Sequence, residues 1–266
     1  MRGRAPAVSA LVVGATLLCI SLVGLSAEYD IPSYAKRPPS AKHLGPARDI
    51  DLGQRRGEAD RRYFARVTRA VHERMYYGWD PQNERVALLD NWLLNAAGRV
   101  LGRYEAYEFS DAERALNRGW GVCSQMTNVV FEALEESGFN PNNVLLPDHT
   151  VIDVRDRRGR PAVLDPTYGV VIDASISELR DAPSLLAREY GDVDARNLAP
   201  GTPEGDELVA RLSRTYGDGT LAVNSGRVTP RRATIEPWAY RLKWAVPVAL
   251  VLFGIARLQR LPRGRT

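Results

Sequence analysis

Cysteine and histidine are scarce in this chain of 266 residues: two cysteines, Cys19 and Cys123, and three histidines, His43, His72 and His149. With Cys19 inside an apolar N-terminal run, no disulfide can form within a folded body, and an unpaired thiol in an exported domain favours a reactive role. One thiol and one histidine at the head of a strand cannot build a tetrahedral metal site, and no glycine-rich phosphate loop is present, so no metal or cofactor is expected. Internal repeats and low-complexity tracts are absent too. A basic body is missing as well. The net charge is +4, from 36 basic and 32 acidic residues, but six of the bases (Arg2, Arg4, Arg257, Arg260, Arg263 and Arg265) lie at the two ends. The 30 that remain face 32 acids, leaving residues 28–256 slightly acidic, and a nucleic-acid partner is set aside on that ground. With 44% hydrophobic and 26% charged residues, the composition is that of a folded protein.

The basic ends flank apolar segments. From Ala5 to Ala27 there is no charged residue. That run is long enough to span a bilayer, as an export signal cleaved after Ser26 or Ala27 or as a retained anchor, and its length favours the anchor. A second segment, WAVPVALVLFGIA at 244–256, falls short of a full span unless Arg257 and Arg260 snorkel, with Trp238, Tyr240 and Trp244 as an interfacial belt. A buried or interfacial helix is its alternative. If both segments span, both termini are cytoplasmic and the body faces the periplasmic or extracellular side. The expected domains are therefore 1–27 as signal or anchor, 28–58 as a proline-rich linker, 59–235 as the folded domain, and 236–266 as a C-terminal span with a basic tail.

Within the body, 57–78 places Tyr63, Val67, Val71 and Met75 on one helical face, and 84–104 is another apolar helix. Asp111 caps a short helix. The next helix begins between Val122 and Ser124 and stops at Gly138. The texture then turns to strand at 143–147, 149–155 and 161–166, with RDRRGR reversing the chain between the last two. Helical patterning returns at 177–191 and 206–217. Helices first and a small antiparallel sheet after them predict an α+β fold.

Three polar residues acquire meaning together. Cys123 opens a helix, and His149 opens a strand. Asp165 ends the next strand, ahead of Pro166, which holds it extended. Closing the hairpin about Arg157 sets His149 and Asp165 directly opposite on one face, within reach of an imidazole–carboxylate bond. Asp153 shares that face and is the alternative partner for His149, whereas Asp148 faces the other way. Thiol catalysis needs these parts: a helix N-terminus that favours thiolate, an imidazole that takes and returns the proton, and a carboxylate that orients the ring. The backbone N–H of Cys123 would serve a developing oxyanion, and Gly119 and Gly121 would admit substrate close to the backbone.

The stretch RGWGVCSQMTNVVFEALEESGFNPNNVLLPDHTVIDVR, followed by AVLDPTYGV, resembles the core of the transglutaminase-like cysteine superfamily across about residues 115–172. The resemblance implies a papain-like α+β fold, with Cys123 as nucleophile, His149 as base and acid, and Asp165 as orienter. Ser124 stands where many relatives carry an aromatic residue, and Thr150 and Val151 follow the histidine where many carry another. Both departures bear on specificity. The second oxyanion donor is open: Asn117 is the first candidate, with Gln125 and Trp120 behind it. The expected activity is hydrolysis or transfer of acyl groups at amide bonds through a thioester, on protein or peptide substrates of the cell envelope. The rival expectation is an inactive module that binds an envelope peptide or a polysaccharide-export partner in the same cleft.

Overall fold

The computed structural model describes residues 4–26, 35, 49–78, 85–104, 106–193, 205–217, 222–224 and 230–260. Most of the proline-rich segment, the loop before residue 205 and the last six residues lie outside that set. The chain divides into two compact units. One comprises Met1–Glu28, Asp80–Tyr107 and Thr234–Thr266; the other comprises Tyr29–Trp79 and Glu108–Ala233. The body expected to run unbroken from 59 to 235 is thus interrupted, because residues 80–107 group with the terminal helices.

The mixed helix-and-strand class agrees with the α+β expectation. In the second unit, α2 (Asp60–Arg74) leads into a two-residue strand, β1 (Tyr76–Tyr77). Next come α4 (Ala112–Arg118), β2 (Trp120–Gly121) and α5 (Cys123–Glu136), and β1 pairs with β2 in parallel. Asp111 caps α4 as expected, its side chain accepting from the Arg114 N–H. The strands β3 (Asn142–Leu145), β4 (Thr150–Arg155), β5 (Pro161–Asp165), β6 (Val170–Ile172) and β7 (Ala222–Asn224) form one sheet in the order β6-β5-β4-β3-β7. Every pairing in it is antiparallel. The three-residue strands β6 and β7 have too few alternations to be read from sequence.

Strand alternation gives the sheet two apolar faces. Val144, Val151, Val163 and Ile172 join one buried cluster with Leu179, Leu186, Tyr190, Leu208, Leu212 and Tyr216. Those partners come from α6 (Ile176–Asp181), α7 (Pro183–Tyr190) and α8 (Gly205–Gly217). The single helix expected over 177–191 is two, since Pro183 has no N–H to continue the first and is well placed to start the second. On the other side, α2 and α5 pack against β4 and β5. Tyr63, Val67, Val71 and Met75 are all buried, as the 57–78 periodicity requires.

The hairpin between β4 and β5 departs from the expected register. Ile152 opposes Leu164 and Arg155 opposes Pro161, which centres the turn on Arg158. Asp156 sets that centre: its backbone N–H donates to the Arg160 carbonyl, and its carboxylate accepts from the Arg158 and Arg160 N–H groups. Continued outward, this register puts Val151, not His149, opposite Asp165. The displacement is an even number of residues, so His149 and Asp165 keep a common face and become diagonal neighbours.

The first unit is built on two long apolar helices, α1 (Arg4–Val23, 20 residues) and α9 (Pro230–Arg260, 31 residues), both long and apolar enough to cross a membrane. The apolar segment read as thirteen residues therefore belongs to a longer helix that includes Arg257 and Arg260. The two helices run antiparallel, with Gly14 against Pro247 and Leu250, and Gly254 against Ala7 and Leu11. A Cβ on Gly14 would lie 2.8 Å from the Pro247 carbonyl oxygen, and one on Gly254 2.8 Å from that of Ala7. Small residues of this kind let helix backbones approach within a bilayer. The segment 84–104, expected as one helix, is α3 (Trp92–Val100) and a 3-10 turn, with Asn91 capping α3. Gly14→Leu and Gly254→Leu are each expected to lower the thermal midpoint in detergent by an amount worth about 1–3 kcal/mol. Leu252→Ala, at an exposed position, should not, and glycine variants with an unchanged midpoint would contradict the close packing.

Candidate active site

Cys123 is the first residue of α5, and the residue before it, Val122, offers no capping side chain. The first turn contains no acid, so the positive end of the helix is not neutralised from within. Cys123 is half-buried, whereas the rest of the helix sinks into the core through Met126, Val130 and Leu134. One end of α5 is anchored and the other presents the thiol.

The glycines before it have structural duties. Gly119 is the C-terminal cap of α4 at φ 77°, a conformation natural to glycine, and Gly121 abuts the side chain of Gln125. A Cβ on Gly121 would stand 2.7 Å from Gln125 Cγ. These contacts replace the expectation that both glycines serve substrate approach. Gln125 is itself occupied. Its amide oxygen accepts from the Phe109 N–H (2.6 Å) and from Arg118 (3.1 Å), and its amide nitrogen donates to the Phe109 carbonyl (2.8 Å). Arg118 lies buried over the Phe109 and Trp120 rings. Asn117 is exposed on α4, whereas His149 and Asp165 are buried.

His149 precedes β4 and is buried; its Nε2 lies 2.7 Å from Asp165 Oδ2. Cys123 is near enough to this ring to favour its charged form, and with Nε2 on Asp165, Nδ1 is the nitrogen left for a thiol. Tyr168 meets the imidazole edge-on, with ring centroids 5.6 Å apart. Asp165, not Asp153, is therefore the partner of His149. Asp148 turns elsewhere, accepting from Arg211 (2.9 Å) and Thr215 (2.7 Å) of α8.

Asp165 is fully buried and held at both oxygens. Oδ1 accepts from the backbone N–H groups of Thr167 (3.0 Å) and Tyr168 (3.4 Å). Oδ2 accepts from His149 and from the Tyr190 hydroxyl (2.9 Å). Two helices beyond residue 175 act here: α7 carries the hydroxyl that holds the carboxylate, and Tyr216 of α8 stands 3.4 Å behind it.

Two residues that sequence reasoning passed over belong to this neighbourhood. His72 of α2 bonds through Nδ1 to the Thr167 carbonyl (3.0 Å), and its ring packs on Gly169, where a Cβ would come within 3.0 Å. Gly169 has φ +71°, so glycine is required there for both conformation and space. The local sequence around His72 does not reveal that α2 meets this turn. Tyr77 of β1 pairs with Gly121, two residues before the thiol. Burial pushes its phenol pKa up, and the nearby charges of Cys123 and Asp165 push it further, so it stays a neutral O–H donor. The signal for Tyr77 was a two-residue pairing, too short for any periodicity.

Compared with family models, with curated proteins and with solved structures, the chain matches none.

The histidines move in opposite directions. Burial opposes a charge on His149, but the charge and hydrogen bond of Asp165, helped by Cys123, outweigh it and lift the pKa from 6.5 to about 10. Burial leads at His72 and lowers its pKa below 6.5. The stability that His149 contributes is complete below about 6.5 and lost as pH rises towards about 10; that of His72 is complete above 6.5 and lost as pH falls. We predict a thermal midpoint that declines on both sides of about pH 6.5. His149→Gln should flatten the alkaline limb and His72→Gln the shallow acidic one. An alkaline limb unchanged in His149→Gln would refute the assignment.

Proposed function

We propose that the protein is a membrane-anchored thiol enzyme that hydrolyses or transfers acyl groups at amide bonds, with Cys123 as nucleophile, His149 as base and acid, and Asp165 as orienter. The observation that carries this reading is a buried imidazole bonded through Nε2 to a buried carboxylate, with a half-buried thiol at a helix N-terminus among the groups that favour its charge. The chain's resemblance to the transglutaminase-like cysteine superfamily supports the same assignment and a papain-like core.

The chemistry follows from the geometry. His149, its pKa lifted to about 10, already carries the thiol's proton when sulfur attacks an amide carbonyl, and attack gives a tetrahedral oxyanion beside the imidazolium facing Asp165. The Cys123 backbone N–H, uncapped in the first turn of α5, points where negative charge grows. Tyr77 is the second donor in this reading, replacing Asn117. Collapse expels the amine, which receives the proton from His149, and leaves a thioester on Cys123. Water or a second amine then attacks that thioester with His149 again as base, releasing acid or amide and restoring the thiol. The antiparallel α1 and α9 both end on arginine-rich tails, which favours a cytoplasmic side for both termini and an outward-facing body acting on envelope proteins or peptides.

Iodoacetamide should alkylate Cys123, and the rate should collapse in His149→Ala. Labelling that follows an unperturbed thiol and ignores His149 would overturn the proposal. Tyr77→Phe should leave alkylation intact and slow acyl transfer by about 10²-fold, the cost of losing one oxyanion donor. An equal loss in both assays would assign Tyr77 a packing role instead.

A further inference from the structure

The first unit contains more than two apolar helices. Residues 85–104 belong to it, and their polar anchors reach α9 at one level: Tyr240 donates to the Asp90 carboxylate (2.5 Å), Lys243 to the Asp90 carbonyl (2.7 Å), and Trp92 Nε1 to the Lys243 carbonyl (3.2 Å). Ser21 of α1 also donates to the Lys243 carbonyl (3.3 Å), and the Leu89 carbonyl lies against Gly24, at the C-terminal end of α1. The segment is therefore fixed where α1 ends and where the apolar part of α9 begins.

Four of its large apolar side chains are exposed. Leu88 is 46% exposed, Leu89 38%, Val100 81% and Leu101 43%. Among the described residues, every other exposed large hydrophobic except Val223 lies on α1, just beyond it at Leu25, or on α9. The body hides its apolar surface and this unit does not. The four residues add to the exposed Leu22, Val23 and Leu25 at the end of α1 and Ile235, Trp238 and Leu242 on α9. A patch of this kind on a soluble surface would be an aggregation liability, whereas beside two spans it is solvated by lipid.

We propose that residues 85–104 form a membrane-embedded collar: Leu88, Leu89, Val100 and Leu101 lie in the headgroup–acyl boundary of the leaflet where α1 ends, and Asp90, Tyr240 and Lys243 mark its polar edge. The occupant of this face is the lipid bilayer. The inference rests on α1 and α9 being spans, and it adds a third point of attachment that neither helix requires.

The test uses the full chain in nanodiscs of phosphatidylcholine and phosphatidylglycerol, with Cys19→Ser and Cys123→Ser as background. Single cysteines at Leu88, Val100, Leu252 and Val223 carry an environment-sensitive fluorophore, read against lipids with a nitroxide placed shallow or deep. Leu88 and Val100 probes should lose about half their emission to the shallow nitroxide and less to the deep one, Leu252 should show the reverse order, and Val223 should be unaffected. If Leu252 is quenched while Leu88 and Val100 behave like Val223, the collar is wrong and the spans stand. Leu88 and Val100 probes shielded from aqueous iodide yet untouched by either nitroxide would mean a protein surface, such as a second copy, covers the face, which also overturns the proposal. An unquenched Leu252 would remove both the spans and the collar.

Discussion

The Asp165 carboxylate is wholly buried, and four hydrogen bonds from three parts of the chain replace the water it loses. His149 reaches it from the head of β4, Tyr190 from α7, and two backbone N–H groups from the turn that follows β5. Removing one partner of such a buried set costs about 3–5 kcal/mol, because the remaining charge is stranded. The carboxylate therefore ties strand, turn and covering helix together. The hairpin register, the Gly169 turn against His72 and the packing of α6–α8 all serve to place its two oxygens.

From that point the chemistry is positional. A fixed carboxylate fixes the imidazole plane, with Tyr168 closing its edge, and a fixed imidazole leaves one nitrogen for the thiol. Anchoring α5 through Met126, Val130 and Leu134 fixes the helix that carries the thiol while leaving Cys123 half-buried. The Gln125 clamp on Phe109 and the buried Arg118 stabilise the segment before the thiol, so the loop that carries Gly119 and Gly121 is scaffold rather than opening. Acyl chemistry asks for this division between rigid support and one reachable nucleophile.

Much of this was legible in the sequence, where periodicity spans enough residues to be read. The face of α2, the start of α5 at the cysteine and its stop at Gly138, the three longer strands and the pairing of His149 with Asp165 all follow from local pattern. The parity of His149 and Asp165 was legible, but their register was not, because Asp156 closes the turn one residue later than symmetry about Arg157 suggests. Contacts between distant segments left no trace: His72 under the Gly169 turn, Tyr77 beside the thiol, and Tyr190 on the carboxylate are each set by how helices pack. Asn117 was chosen by spacing alone, and its place on the exposed side of α4 depends on a helix too short to show an apolar stripe.

The central claim is that Cys123 accepts an acyl group because His149, held by Asp165, activates it. Intact-mass spectrometry of the full chain during turnover of an activated acetyl ester reads this directly, since the thioester adds one acetyl group to one residue. The account predicts a transient acetyl adduct mapped to Cys123 and formed at least about 10²-fold more slowly in His149→Ala. An adduct spread over other residues, or one that forms on Cys123 at the same rate without His149, would contradict it.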